Sequence, residues 1–315
     1  MTTPAMLRTV RPDVRTRARP DKAREAPDQA WSRPPDRALR PAPGSEIDIL
    51  CCPSCRGELG RTACRNCGRP YARVGSQLRF VDAPVETVDA AFQAATHNNS
   101  NLVGWLFNAG KAVLSSEYQP TDHLREFLGS AVGVVVELGS GARRLRPDVL
   151  TVDLFPNPNV DLVADISETP IRDGKVDFVI LDSVIEHVED PVAAVREARR
   201  ILKRGGRLFI NCPFMLPYHG YPAHYQNFTR DGLEHLLRDF SSCTVKPTFG
   251  PMSAWVNMTA ETFAVMLAGE RGLAYVVAKG CALLPIFWLK YLDIFFARTQ
   301  RAHRLAGMLC AQAVK

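Results

Sequence analysis

Val134-Val-Val-Glu-Leu-Gly-Ser-Gly141 is a β-branched apolar run that breaks on two glycines. A short run such as Val134–Leu138, closed by a turn signal, predicts a buried strand. Glycines at 139 and 141 let the backbone turn tightly and approach a ligand, because no Cβ stands in the way. A helix starting directly after the turn would add unpaired N–H groups facing that ligand. Taken alone, a glycine turn after a strand has many structural uses.

The same pattern repeats downstream. Val149–Leu154, Val160–Ala164 and Val176–Leu181 are further strand candidates, and Asp190–Leu202 carries Val192, Val195, Ala198 and Leu202 at helical spacing. The turn Lys203-Arg-Gly-Gly206 and the strand Arg207–Asn211 follow. Strands alternating with helices predict an α/β fold with a Rossmann-like, doubly wound, mainly parallel sheet. Such sheets bind ligands beyond the carboxyl ends of the strands, where the strand order reverses. Asp153, Asp165 and Asp182 fall at successive strand ends. An ionised carboxylate only accepts hydrogen bonds. Asp153 can therefore receive both hydroxyls of a ribose, Asp165 an exocyclic amine, and Asp182 can lie beneath an amino-acid portion. Each could singly be a cap or turn residue, but the series argues for one donor-rich ligand.

Residues 134–240 resemble a class I S-adenosylmethionine-dependent methyltransferase domain. The matching segments are Val135-Val-Glu-Leu-Gly-Ser-Gly141, Thr151-Val-Asp153, Ala164-Asp-Ile166, Phe178-Val-Ile-Leu-Asp-Ser-Val-Ile-Glu-His-Val188 and Ile201-Leu-Lys-Arg-Gly-Gly-Arg-Leu208. The resemblance implies that Glu137, Gly139 and Gly141 bracket the methionine part of S-adenosylmethionine, with Ser140 beside them. It places Asp153 and Leu154 at the ribose, Asp165 and Ile166 at the adenine, and Asp182 below the amino-acid end. Many relatives carry a third glycine where this chain has Arg143, which predicts a short or displaced helix after the turn. A nicotinamide dehydrogenase is disfavoured, because the Gly-x-Gly-x-x-Gly fingerprint ends here on Arg144.

The acceptor side is expected at Cys212–Thr229, which leaves a strand end and concentrates His219, Tyr221, His224 and Tyr225. A neutral histidine can take the proton that a hydroxyl or amine loses as it attacks a methyl sulfonium. His219 is the catalytic candidate and His187, in the Glu186-His187 pair, a weaker one whose alternative is to fix the loop. This loop is similar to one in bacterial glycan and natural-product methyltransferases, where Pro-x-His-Gly precedes an Asp-Tyr-x-Arg-like segment. Here His224-Tyr225-Gln226-Asn227 lacks the acidic and basic members.

Cys52-x-x-Cys55 and Cys64-x-x-Cys67 supply four thiolates at zinc-knuckle spacing. The segment resembles zinc-ribbon-like modules found with methyltransferases, which implies a closed, structural zinc. The expected organisation is an Arg/Pro-rich disordered tail at 1–45, the zinc-ribbon module at 46–82, a helical lead-in at 83–130, the cofactor-binding domain at 131–250, and an apolar helical C-terminal extension at 251–315. Of the 315 residues, the tail carries most of the net charge of +6, so the remainder is near neutral and nucleic acid is disfavoured as a partner. The cysteine pattern and the lack of a secretory leader predict a cytoplasmic protein. The stretch 273–296 is strongly apolar but includes Lys279, Pro285, Lys290 and Asp293, which suits peripheral membrane contact or a buried subdomain better than a span. These features predict methyl transfer to an O or N atom of a small-molecule or glycan acceptor. The alternatives are an RNA methyltransferase that uses the zinc module and basic tail, and a non-catalytic binding protein that retains the fold.

Overall fold

The computed structural model describes residues 49–81, 113–220, 223–269 and 272–315. The tail expected over 1–45, the lead-in from 83 to 112 and Tyr221 lie outside them. The strands are β1 (Ala72–Val74), β2 (Gln77–Arg79), β3 (Val135–Leu138), β4 (Leu150–Asp153), β5 (Leu162–Val163), β6 (Val176–Asp182), β7 (Leu202–Pro213), β8 (Ser242–Phe249) and β9 (Met308–Val314). The helices are α1 (His123–Gly129), α2 (Pro191–Ile201), α3 (Arg230–Leu236), α4 (Pro251–Ala268), α5 (Leu273–Leu283) and α6 (Asp293–Phe296).

All nine strands form one sheet in the order β1-β2-β5-β4-β3-β6-β7-β9-β8. The run from β2 through β7 is parallel, while β9 lies antiparallel between β7 and β8. Alternate side chains on a strand point to opposite faces, and the apolar residues divide accordingly. Val136, Leu138, Val179, Leu181, Leu208 and Ile210 join Ala194, Val195 and Ala198 of α2 in one core. Val135, Ile180, Phe209 and Cys310 join Phe127 of α1 in the other. Asp190 starts α2 by accepting the Ala193 N–H at 2.9 Å, with Pro191 in its first turn. The strand order reverses between β3 and β6, which sets the ligand crevice at their carboxyl ends.

Two expectations are revised. No helix follows the glycine turn: residues 142–149 form an irregular connection. Pro147 cannot donate within a helix, and arginine side chains hold the backbone open instead. Arg144 bonds the carbonyls of Val149 and Asn159, both at 2.8 Å, and Arg146 bonds the Leu128 carbonyl at 2.9 Å. Second, residues 251–315 are helical only in part, because Met308–Val314 is the strand β9 inside the sheet. The cysteine segment, expected as a compact module, joins the edge of the sheet. β2 pairs with β5 (Leu78 with Leu162), and Leu50, Leu78 and Phe80 belong to the main core.

The C-terminal helices turn their charged groups inward. Lys290 is 1% exposed and donates to the carbonyls of Val113 and Ser115 at 2.9 and 2.8 Å. The buried Asp293 accepts the Met252 and Ser253 amides at 2.9 and 2.8 Å, capping the start of α4. Among the described residues no single helix is long and apolar enough to cross a membrane. Leu273–Leu283 with Phe287–Phe296, bent by 57°, has that length and composition only as a pair.

Candidate functional site

A cavity of about 610 Å3 opens at the carboxyl ends of β3, β4 and β5, within the size range of ligand pockets. Gly139, Gly141, Asp153, Leu154, Asp165 and Ile166 all line it, with His187 at its far side. Asp153 accepts the Gly141 N–H at 2.7 Å through one carboxylate oxygen and the Phe155 N–H at 2.9 Å through the other. Burial nevertheless pushes its carboxyl up, against these amides. Two lone pairs are committed, so acceptor capacity remains for a diol. Asp165 ties its own loop by accepting the Ser167 amide and hydroxyl, each at 2.7 Å.

The glycines fit a bound group in two different ways. A Cβ on Gly139 would lie 2.6 Å from the Val184 side chain, so the turn must pack against the strand β6 side with no side chain. Gly141 has φ +59° and nothing within 4 Å of a Cβ, so its backbone fronts open space. Ser140 Oγ and Glu137 Oε2 are buried without a hydrogen-bond partner among the described residues. Buried polar atoms of this kind call for a partner, and a cofactor with an ammonium and hydroxyl donors supplies the missing chemistry. Burial pushes Glu137 up to about 8, opposed by Arg143 and reinforced by Asp182 and Asp153.

Arg143 is more than a missing glycine. It pairs with Asp182 and lies 3.8 Å from Glu137. Asp182 is also held by Asn211 at 2.8 Å, whose carbonyl oxygen accepts the Thr248 hydroxyl at 2.8 Å. Asp182 therefore faces a second cavity, of about 1230 Å3, shared with Arg143, Glu186, His187 and His219 and closed on its far side by α4 and α5 through Val265, Tyr275 and Lys279. Ser183 and His187 border both cavities. Ser183 takes φ +59° immediately after β6, a conformation that costs a non-glycine residue energy and that clusters at functional sites. Nothing in the sequence marked Ser183 or the Arg143–Asp182 pair.

His219 and His187 come together, with ring centroids 5.3 Å apart. Each Nε2 lies 3.9 Å from Oε1 of the fully buried Glu186. Glu186 holds His219 above its ordinary value, against burial, which works against the neutral form that a free general base needs near pH 7. The 224–227 segment acts as a clamp on this turn. Gln226 donates to the carbonyls of Ile185 and Val188, both at 3.1 Å. Asn227 accepts from His224 at 2.6 Å, and its amide reaches the Phe214 carbonyl at 3.0 Å.

The four cysteine sulfurs, Cys52, Cys55, Cys64 and Cys67, lie within 4.8 Å of one another. Cys52 and Cys67 are 3.7 Å apart, and Cys55 and Cys64 3.4 Å. Bonds of about 2.3 Å to one tetrahedral zinc put sulfurs roughly 3.8 Å apart, so the donor set fits that ion. Both knuckles turn alike, with Arg56 N–H to Cys52 O at 2.9 Å and Gly68 N–H to Cys64 O at 3.0 Å. Both turn residues have positive φ, +60° at Arg56 and +72° at Gly68. Arginine stands where glycine would be easier because its side chain reaches the Thr169 carbonyl at 2.8 Å, locking the knuckle onto the domain. Cys51 is buried outside the cluster.

A family of methyltransferase domains matches residues 139–210. The chain is 36% identical over 192 residues to an uncharacterized 37.1 kDa protein in transposon TN4556 of Streptomyces fradiae, an alignment spanning 50% of this chain and 55% of that protein. It is 33% identical over 89 residues to a probable S-adenosylmethionine-dependent methyltransferase of Mycobacterium tuberculosis, spanning 26% of this chain and 32% of the relative. The chain thus spans about half the length, or less, of these relatives. Among solved structures it is similar to a possible histamine N-methyltransferase of Thermotoga maritima, at 17% identity and TM-score 0.40 over 67% of this chain and 95% of the other. It is also similar to phosphoethanolamine N-methyltransferase 2 of Haemonchus contortus, at 16% identity and TM-score 0.38 over 71% and 59%. The matched segment, residues 139–210, holds the glycine turn, Asp153, Asp165 and Asp182, and its likeness is to methyltransferase domains, among them that of the probable S-adenosylmethionine-dependent relative.

Proposed function

We propose that the protein transfers a methyl group from S-adenosylmethionine to an O or N atom of a small-molecule or glycan acceptor. The observation that carries this reading is the meeting of two cavities at Ser183 and His187. One is lined by the glycine turn, Asp153 and Asp165, the other by Asp182, Glu186 and the imidazoles of His187 and His219, able to orient an acceptor. Bound in the first cavity, the cofactor supplies an electrophilic methyl group. The chain's residues supply alignment: Asp153 and Asp165 fix one end, the 139–141 turn the other, and Gln226 fixes the turn that carries Glu186 and His187. Positioning of this kind can account for a large part of a displacement rate. His219→Ala should lower methyl transfer at least about tenfold with cofactor affinity unchanged, in a labelled-methyl assay against fractionated glycan, lipid, RNA and protein acceptors. Unchanged turnover would remove His219 from the reaction, and labelling of RNA alone would favour the RNA reading.

The acceptor reaches the protein at a membrane surface in this reading. Trp255, Phe263, Met266, Leu267, Leu273, Val276, Trp288 and Phe295 are all exposed, Leu273 by 80%. Arg298, Arg301 and Arg304, which follow Phe295 in the chain, are exposed as well. Apolar and cationic side chains together suit the interface of an anionic bilayer. Val265, Tyr275 and Lys279 of the same helices line the larger cavity, which gives an acceptor with an apolar anchor a direct way in.

A further inference from the structure

We propose that Glu186, His187 and His219 form a binding site for a divalent first-row transition-metal ion, distinct from the four-cysteine cluster. Glu186 is 0% exposed, and neither of its carboxylate oxygens has a hydrogen-bond partner among the described residues. An ionised carboxylate without a partner is expensive to bury. With both imidazoles neutral, what faces it is no donor. His187 Nδ1 is directed at the Ala223 carbonyl, and His219 Nδ1 lies 3.1 Å from the Pro217 carbonyl. A ring nitrogen against a carbonyl must carry the proton, so in each neutral imidazole Nε2 holds a lone pair. Both lone pairs and a carboxylate oxygen therefore converge as three acceptors.

A cation resolves that arrangement. The three ligand atoms lie within 4.8 Å of one another, and bonds of about 2.1 Å to a shared ion can span the 3.9 Å separations between nitrogen and oxygen. A proton alone would draw Nε2 and oxygen to roughly 2.8 Å, shorter than found. Metal-bound histidines characteristically give their other N–H to a backbone carbonyl, as both do here. Two imidazoles and one carboxylate with open positions suit a divalent first-row ion, whereas thiolates select softer binding. His224 is not a ligand, since its Nδ1 accepts the His219 amide at 3.2 Å and its Nε2 is committed to Asn227. All three ligands border the larger cavity, so the open positions face the acceptor. Only that use of the ion rests on the proposed methyl transfer; the binding claim does not.

Equilibrium dialysis of the full chain against micromolar Zn2+, with elemental analysis, counts the ions. Glu186→Gln and His219→Ala should each hold one ion fewer per chain than the wild type, and Cys52→Ser should leave this site filled. Thermal melting of each variant checks that it folds, and His219, half-exposed on a loop, is the safer of the two substitutions. Equal ion counts in wild type and both folded variants would overturn the proposal, whether or not methyl transfer is detected.

Discussion

Glu137, next to last in β3, has one carboxylate oxygen buried and unpartnered, and burial raises it to about 8. In the unfolded chain it titrates near 4.5. The folded value being the higher, its contribution to stability is complete below pH 4.5 and is lost as pH rises through 8. Glu137→Gln keeps the shape and removes the charge, so its melting temperature should fall less than the wild type's between pH 5 and pH 8. Equal slopes would mean that Glu137 ionises freely. Asp153 carries a different burden, since it both ties Gly141 and Phe155 and faces the cofactor cavity. Hydrogen bonds to a charged group contribute about 1.5–3 kcal/mol, so Asp153→Ala should weaken cofactor binding by roughly ten- to a hundredfold.

At the scale of elements, the cysteine knuckles and the sheet edge are one unit. Leu50 bridges to Ile171, Cys51 N–H bonds the Pro170 carbonyl at 2.9 Å, and β2 pairs with β5. Losing the metal should therefore loosen domain segments as well as the knuckles. Cys52→Ser is expected to lose one zinc per chain and to speed amide exchange at 77–81 and 162–172. Exchange confined to 50–70 would show an independent module, and full zinc content would refute the ligand set. The strands around the crevice were legible because parallel strands buried on both faces read as apolar runs, and Val135–Leu138, Leu150–Asp153 and Val176–Asp182 fall within a residue of their expected ends. β9 was not, because Met308-Leu-Cys-Ala-Gln-Ala-Val314 after three helices has no period to tell a buried strand from a helix turn. The strand-end acids could be read one by one, but the Arg143–Asp182 pair and the convergence on Glu186 depend on contacts between segments 39 and 33 residues apart in sequence.

At the scale of the molecule, one end of the sheet gathers the two cavities and the apolar helices that border the larger one. With Lys290 and Asp293 turned inward, the outward side of α4–α6 keeps exposed apolar side chains, and exposed arginines follow in the chain. The protein should float with vesicles containing anionic lipid, and Leu273→Glu with Phe295→Glu should abolish flotation without changing cofactor affinity. Sedimentation of wild type free of such vesicles would leave that face to another use. The central claim is that the β3–β4–β5 end holds S-adenosylmethionine. It is tested most directly by titration calorimetry of the full chain with S-adenosylhomocysteine. One site per chain in the wild type, weakened by Asp153→Ala in a protein that still melts cooperatively, is the predicted result; no binding by folded wild-type protein would contradict it.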